Sequence, residues 1–306
     1  MGKRSRRPIH GVAVDAGSGL EAAIREARGD RAQPDDLLTF KRSVLTVLGP
    51  QASTVLVDAA CGPDLLADYP KGCAPMMAYE ADVYHISDED RITVLPDNLS
   101  VSDYPGLGVR QLKFFMYYAP DDRADLNAKK LEIVAGIGRG CNTHNIKYLI
   151  EPLVYHPDLE PGTAEFRRLK PDLVRRATQA FADPRLHADV LKVEVPVDLN
   201  FVEGFGAPEM SRQQALEAFR HAAEPAAGRD LVYLSAGVAF EAFEASLQMA
   251  SEAGVTFSGF MCGRAIWADA IGVFGRDGKA GLIAWLSDTG RNRLQRLIET
   301  LRAEAS

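Results

Sequence analysis

Short apolar runs alternate along the chain with longer segments of helical periodicity. Eight such runs occur, each bounded by glycine, proline or polar residues. They span residues 11–15, 54–58, 74–79, 111–118, 146–155, 189–197, 231–237 and 256–264. Runs that lack a regular polar alternation are typical of strands buried on both faces of a parallel sheet. The pattern therefore predicts eight buried parallel strands.

Amphipathic segments between these runs predict helices. The segments cover about residues 33–48, 121–139, 164–181, 211–223, 239–253 and 288–305, and a short helix is expected within the loop-like region 88–108. Pro171 predicts a break or a new start in the third segment, because proline cannot donate the helical hydrogen bond. Eight repeats of strand and helix favour a closed (β/α)₈ barrel over an open doubly wound sheet.

The domain organisation follows from the same pattern. Gly17-Ser18-Gly19 is too sparse for a dinucleotide-binding fingerprint, and no low-complexity linker divides the chain. We expect one (β/α)₈ TIM-barrel domain over residues 10–306, preceded by a flexible basic tail at 1–9. No apolar stretch follows that tail, so a signal peptide is not expected.

Composition narrows the class of partner. The chain has 306 residues and a formal net charge of −7, which argues against a nucleic-acid partner. No apolar run reaches the roughly 20 residues that a membrane-spanning helix needs. The four cysteines form no CxxC or Cys/His pattern, which indicates free thiols in a cytoplasmic protein. A small molecule is the expected partner.

The sixth run places two ionisable groups in an apolar strand. Lys192 and Glu194 share one face of the strand, opposite to Leu191 and Val193. A buried Lys–Glu ion pair without chemistry would explain this pattern. A partly desolvated lysine can also lose its proton and attack a carbonyl carbon.

Three further charged residues lie in or at the ends of apolar runs. They are Asp15, Lys113 and Glu151, from the first, fourth and fifth runs. Barrel active sites gather side chains from several strands at their carboxyl ends, so we expect these groups to meet Lys192. A second lysine would lower the pKa of the nucleophilic amine, and a carboxylate would transfer protons. We assign that transfer to Glu151 and rank Glu194 as its rival.

The last two runs end in residues suited to an anion. Ser235 and Gly237 end the seventh run, and Gly263 and Arg264 end the eighth. Barrels of this class commonly bind phosphate at the loops after strands seven and eight, where backbone N–H groups and a helix terminus meet the anion. Tight strand-to-helix turns would explain the glycines alone, but Ser235 and Arg264 at the same turns favour a phosphate site.

Several segments resemble the tagatose 1,6-bisphosphate aldolase family of class I aldolases, which includes the sulfofructosephosphate aldolases. The resemblance covers about residues 10–275 and is carried by segments 112–118, 191–197, 201–205, 233–238 and 262–268. It implies a cofactor-free aldolase with a (β/α)₈ fold. The family's Schiff-base lysine matches Lys192, and its proton-transfer glutamate matches Glu151.

The resemblance also implies roles for the other candidates. Asp15 and Lys113 match polar groups that line the substrate site, and Ser235, Gly263 and Arg264 match the site for the phosphate of dihydroxyacetone phosphate. Gly237 lies in the same matching segment. A homo-oligomer is consistent with the resemblance.

Two turns depart from the family pattern. Ala16-Gly17 follows Asp15 where relatives carry Gln-Arg. Ala59-Ala60-Cys61-Gly62-Pro63 follows Asp58 where relatives have a Tyr-Gly-Leu-Pro turn after the acid. Without that arginine the far end of the sugar loses a contact, so the second anionic group of the substrate, phosphate or sulfonate, is left open.

The predicted function is therefore cleavage of a phosphorylated ketose such as tagatose 1,6-bisphosphate, with a sulfofructosephosphate aldolase as the alternative. A non-catalytic phosphosugar sensor and an isomerase that uses Glu151 as base are the alternatives of other classes. No metal is predicted, because the six histidines show no ligand spacing.

Overall fold

Eight parallel strands close into a barrel in chain order, each pairing with the next and β8 with β1. The computed structural model describes residues 8–226 and 228–302, so most of the predicted basic tail lies outside the described residues. The strands are β1 (Ile9–Ala13), β2 (Thr54–Val57), β3 (Ala74–Ala78), β4 (Gln111–Tyr118), β5 (Lys147–Val154), β6 (Val190–Glu194), β7 (Asp230–Leu234) and β8 (Gly259–Cys262). The predicted TIM barrel is confirmed.

The helices pack outside the strands. They are α1 (Ser18–Arg28), α2 (Asp36–Leu48), α3 (Gly62–Leu65), α4 (Ala124–Thr143), α5 (Ala164–Phe181), α6 (Arg212–Ala223), α7 (Phe240–Glu252), α8 (Arg264–Trp267), α9 (Ala270–Trp285) and α10 (Arg291–Arg302). Ser211 begins α6 with a capping box that it forms with Gln214. In the described part of the chain, no helix is both long enough and apolar enough to cross a membrane.

Helix α5 differs from the expectation of a break at Pro171. It is continuous from Ala164 to Phe181 with the proline inside. Phe166 lies before the proline, Leu173 and Val174 follow it, and all three side chains are buried in the core between helix and barrel. Packing on both sides of Pro171 therefore offsets the missing hydrogen bond, which costs about 3 kcal/mol in an isolated helix.

The barrel interior has an apolar floor and a charged upper layer. Apolar side chains of alternate strand residues fill the floor: Ile9, Ala13, Leu56, Met76, Ala78, Leu149, Val190, Val232 and Met261. Because side chains two residues apart share a face, Glu151 lies above Leu149, and Lys192 above Val190. Lys113 pairs in register with Leu149 and also faces inward. These charged groups therefore lie inside the barrel, between its apolar layer and the carboxyl ends of the strands.

Candidate active site

A cavity of about 790 Å³ opens at the carboxyl ends of the strands. Its wall contains all eight of the residues predicted from the sequence: Asp15, Lys113, Glu151, Lys192, Ser235, Gly237, Gly263 and Arg264. The first four come from or follow β1, β4, β5 and β6, and the last four follow β7 and β8. The closed barrel thus gathers groups that lie up to 249 positions apart in the sequence, from Asp15 to Arg264.

Glu151 lies between two lysines at the centre of the cavity. Its Oε2 atom is 2.9 Å from Lys192 Nζ and 2.9 Å from Lys113 Nζ. These contacts are ion pairs, and their angles do not meet hydrogen-bond geometry. All three side chains are buried. A carboxylate within reach of a buried amine can carry protons to and from groups bound at that amine.

Lys113 is held as a cation by three carboxylates. Its Nζ atom lies 3.0 Å from Asp15 Oδ2, contacts Glu80 Oε1 at short range and also faces Glu151. Burial alone would lower the pKa of Lys113, but the attraction of Asp15, Glu151 and Glu80 outweighs it and raises that pKa well above its usual value. Lys113 therefore supplies a fixed positive charge beside Lys192.

The pKa values of Asp15 and Glu80 are shifted in opposite directions. Burial raises the pKa of each carboxyl, and the attraction of Lys113 and Lys192 reverses this for Asp15, whose pKa falls to about 2. In Glu80 burial prevails over the attraction of Lys113, with repulsion from Asp15 and Glu151 added, and the pKa rises to about 7. Asp15 is therefore ionised at neutral pH, whereas Glu80 is divided between its charged and neutral forms.

Glu80 is a site residue that the sequence reasoning missed. It follows Tyr79 at the end of β3, where its Oε2 atom accepts a hydrogen bond of 3.3 Å from the backbone N–H of Phe115. The sequence contains a signal for it, because an acid directly follows the third apolar run, much as Asp15 ends the first. The third run was weaker than the others, and its terminal acid was left out.

Glu194 takes no part in the cavity wall. Its Oε2 atom accepts a 2.8 Å hydrogen bond from the backbone N–H of Val154, and its Oε1 atom lies 3.3 Å from Lys170 Nζ on α5. Its carboxylate thus joins β5, β6 and α5, and Glu151, not Glu194, contacts Lys192.

The turns after β7 and β8 form a cradle with anion-binding chemistry. Ala236 and Gly237 both have positive φ, at 49° and 80°, which turns the backbone sharply between Ser235 and α7. The guanidinium of Arg264 lies so close to Gly237 that a Cβ atom there would be 3.0 Å from Arg264 Cζ. Ser235 is buried in the wall, whereas Arg264 is exposed to the cavity mouth. Glycine at 237 thus satisfies both the backbone turn and the approach of the guanidinium.

Close packing between β1 and β8 fixes the position of the second turn. A Cβ atom at Gly263 would lie 2.2 Å from the carbonyl oxygen of Ala13, which also accepts a 2.8 Å hydrogen bond from Trp267 Nε1. The backbone of residue 263 can approach β1 only because it carries no side chain. Arg264, the next residue, is thereby placed at the rim next to β1.

The rim after β1 to β3 is lined by carboxylates. Asp82 Oδ2 accepts a 2.7 Å hydrogen bond from the backbone N–H of Ser18, the first residue of α1. Asp58 Oδ1 accepts a 2.9 Å hydrogen bond from the N–H of Cys61, and its Oδ2 pairs with the buried Nζ of Lys41. Asp97 is exposed on the same wall.

Among residues 8–226 and 228–302, no group of three or more His, Cys, Asp and Glu side chains could hold a metal ion. The three carboxylates that converge in the cavity, Asp15, Glu80 and Glu151, do so on the ammonium of Lys113. The chemistry that these residues support directly is nucleophilic attack by an amine with proton transfer by a carboxylate.

Known proteins of similar sequence are aldolases. The model of the "DeoC/LacD family aldolase" group matches residues 10–269. The chain is 34% identical over 296 residues to a tagatose 1,6-diphosphate aldolase of Listeria monocytogenes, which covers 96% of this chain and 87% of that protein. It is 33% identical over 301 residues to tagatose 1,6-diphosphate aldolase 1 of Enterococcus faecalis, covering 97% and 91%.

Solved structures with the same fold include two aldolases. Fructose-bisphosphate aldolase from Plasmodium falciparum has a TM-score of 0.71 at 14% identity, covering 96% of this chain and 90% of that chain. An archaeal fructose-1,6-bisphosphate aldolase, with its catalytic lysine bound to the carbinolamine intermediate of the substrate, has a TM-score of 0.61 at 16% identity, covering 98% and 95%. At these identities the likeness shows the shared barrel fold.

Proposed function

The chain belongs to the DeoC/LacD family of aldolases, and we propose that it cleaves a phosphorylated ketose as a class I enzyme, through an iminium formed on Lys192. As an aldolase it is a lyase. The observation that carries the proposal is the row Lys113–Glu151–Lys192, in which one carboxylate oxygen lies 2.9 Å from each amine. A buried amine, an adjacent proton carrier and a fixed cation are the groups that iminium chemistry requires.

The first half of the reaction attaches the substrate. Glu151 first takes a proton from the ammonium of Lys192. The neutral amine then attacks the C2 carbonyl of the ketose, and one proton moves from the nitrogen to the oxygen to give a carbinolamine. Glu151 returns its proton to that hydroxyl, which leaves as water, and the nitrogen–carbon bond becomes an iminium. Lys113 and Asp15 are proposed to hydrogen-bond the sugar hydroxyls and to keep the charges around the reacting carbon fixed.

The second half breaks the carbon–carbon bond. The C4 hydroxyl gives its proton to Glu151, the C3–C4 bond breaks, and its electron pair moves into the iminium to form an enamine. The C4 fragment leaves as an aldehyde. Protonation of the enamine at C3 and hydrolysis of the resulting iminium then release dihydroxyacetone phosphate and free Lys192.

The phosphate of the ketose is proposed to bind at the cradle after β7 and β8. Ser235 supplies a hydroxyl there, Gly237 a sharply turned backbone, and Arg264 a guanidinium that can donate two parallel hydrogen bonds to phosphate oxygens. Anchoring the phosphate across the cavity from β3 and β4 places C2 near the barrel axis, where Lys192 Nζ lies.

The relatives named above suggest tagatose 1,6-bisphosphate as the first substrate to test, with sulfofructose phosphate as the second. Release of dihydroxyacetone phosphate from a panel of tagatose, fructose and sulfofructose phosphates would rank them. Change of ketose identity without change in carbon number would instead indicate an isomerase. The cytoplasmic location, the homo-oligomer and the single domain over residues 10–306 stay predictions.

Borohydride trapping tests the nucleophile. The protein is incubated with dihydroxyacetone phosphate and reduced with borohydride, and the mass increase is located on a peptide. The matched variants are Lys192→Arg and Lys147→Arg, which each lose a primary amine and keep a positive charge. Lys147 lies at the opposite end of β5, 3.4 Å from Asp230.

We expect the adduct in the wild type and in Lys147→Arg, on the peptide that contains Lys192, and none in Lys192→Arg. An adduct that persists in Lys192→Arg would contradict the assignment. Binding of dihydroxyacetone phosphate by the wild type without any adduct would favour the non-catalytic sensor instead.

A further inference from the structure

If the proposed function holds, the bound ketose can extend across the cavity in only one direction. A ketose phosphate held by the turns after β7 and β8 and joined to Lys192 on β6 extends away from β7 and β8. In a closed barrel of this strand order, β3 and β4 lie diametrically opposite β7 and β8. The carbons beyond C4 therefore extend across the cavity toward β3 and β4. Strands β1 and β2 lie between β8 and β3, so the loops after β1 to β4 line this path and select the far end of the substrate.

The first electropositive feature along this path is the N-terminus of α1, and the carboxylate of Asp82 occupies it. The backbone N–H of Ser18 donates to Asp82 Oδ2 at 2.7 Å, and that oxygen would lie only 2.9 Å from a Cβ atom at Gly17. A free helix N-terminus is a natural phosphate site, because its N–H groups and dipole both favour an anion. Here the protein supplies that anion itself.

The two buried lysines on this side are likewise occupied. Lys41 is completely buried and pairs with Asp58. Lys113 is shared by Asp15, Glu80 and Glu151. Neither lysine presents an unbalanced positive charge to the far end of a substrate.

The charge of the wall is correspondingly uneven. Six carboxyl groups line it, of which Asp58 is paired with Lys41, and five remain against three basic side chains: Asp15, Glu80, Asp82, Asp97 and Glu151 against Lys113, Lys192 and Arg264. Arg264 is the base on the phosphate side. Arg91, on the loop that carries Asp82 and Asp97, is outside the wall, where its guanidinium stacks 4.4 Å from the ring centroid of Tyr155.

We infer that the far end of the substrate carries no second anion, so that the substrate is a ketose 1-phosphate whose aldehyde half is an uncharged hydroxyaldehyde. Carboxylate oxygens of Asp82 and Asp97 accept hydrogen bonds from sugar hydroxyls but repel a second phosphate or sulfonate. The side-chain amide of Asn98, on the same loop, offers both a donor and an acceptor. The acid-lined loops thus distinguish substrates by the charge beyond C4.

The reverse reaction tests this directly, because the two aldehydes differ in one group. Dihydroxyacetone phosphate is held fixed, and D-glyceraldehyde is compared with D-glyceraldehyde 3-phosphate by kcat/KM for aldol addition. We expect the uncharged aldehyde to be preferred by about tenfold, as like-charge repulsion at a recognition site predicts. A preference of threefold or less, or a preference for the phosphorylated aldehyde, overturns the inference.

Charge-neutralising variants identify the residues responsible. Asp82→Asn keeps an oxygen acceptor for the N–H of Ser18, and Asp97→Asn changes an exposed residue, so at least the second is expected to fold normally. Each is expected to shift the kcat/KM ratio at least about threefold toward the phosphorylated aldehyde. Asp183→Asn is the matched control, since Asp183 likewise accepts a backbone hydrogen bond at the start of a helix, from Arg185 N–H, but lies before β6, outside the cavity wall.

The ratio in Asp183→Asn is expected to equal that of the wild type. An unchanged ratio in both Asp82→Asn and Asp97→Asn would overturn the assignment to these loops. The inference and the proposed function are tested by different experiments, so that either one can fail without the other. The borohydride trap contains no aldehyde, so its failure counts against Lys192, whereas the aldehyde ratio is read from turnover and counts against the acid-lined loops.

Discussion

Glu80→Gln is expected to change how the stability of the protein depends on pH. Burial raises the pKa of Glu80 from 4.5 to about 7, so between these values the folded protein holds a proton that the unfolded chain has released. The stabilising contribution of the protonated form is complete below about pH 4.5 and is lost as pH rises through 7. Glutamine has no such proton and removes this loss.

The magnitude follows from the size of the pKa shift. The rise from 4.5 to about 7 corresponds to about 3 kcal/mol of unfolding free energy, most of which falls between pH 5 and pH 8. Urea unfolding at several pH values, followed by circular dichroism, gives the difference between wild type and Glu80→Gln. We expect that difference to move by this amount in favour of the variant as pH rises.

Glu80→Ala provides the control for the same measurement. It removes the same titration together with the contacts to Lys113 and Phe115, so its difference from wild type should have the same slope but a different offset. A flat difference, or one that moves in favour of the wild type as pH rises, would refute the account of Glu80.

Three further outcomes follow from the site. Glu151→Gln is expected to lower kcat by about 100-fold or more, since general acid–base groups contribute on that order, measured by release of dihydroxyacetone phosphate. Arg264→Lys keeps the charge but loses the forked donor, and should raise KM about tenfold with a small change in kcat, which steady-state kinetics would separate. Gly263→Ala brings a methyl group 2.2 Å from the carbonyl oxygen of Ala13 and should destabilise the fold by about 1–3 kcal/mol, seen as a lower thermal midpoint. Unchanged kinetics or an unchanged midpoint would contradict the respective argument.

The strands were predictable because they are buried on both faces, which leaves a plain apolar signature. The run at residues 111–118 coincides with β4, whereas the runs at 231–237 and 256–264 extend past β7 and β8. The residues by which these two runs extend past the carboxyl ends of β7 and β8 are informative, because they form the turns of the phosphate cradle.

Besides the four-residue helices α3 and α8, two longer helices were missed for compositional reasons. Helix α1 (Ser18–Arg28) begins within the Gly17-Ser18-Gly19 segment, whose glycines have a low helix propensity. Helix α9 (Ala270–Trp285) contains several glycines, and Gly278 interrupts it with a φ of 64°. Both are held by packing against each other and against α2, a tertiary effect that local propensity does not report.

The candidate site was largely predictable because charged residues in apolar runs are costly and therefore conspicuous. The ambiguity between Glu151 and Glu194 could not be resolved from the alternation of side chains alone. Glu194 has the same parity as Lys192, but its carboxylate turns to Val154 and Lys170, a contact that requires the position of α5. The hydrogen bond between the Asp82 carboxylate and the first residue of α1 could not be predicted from the sequence either, because Asp82 and Ser18 are 64 positions apart.

The carboxylate of Asp82 at the start of α1 also bears on inhibition by simple anions. Because Asp82 occupies the N-terminus of α1, inorganic phosphate or sulfate can bind only at the cradle beside Arg264 and not also at that helix terminus. Such ions should compete with the sugar phosphate, with one ion bound per chain. Anionic metabolites at high concentration should likewise inhibit the enzyme only by binding at the Arg264 cradle.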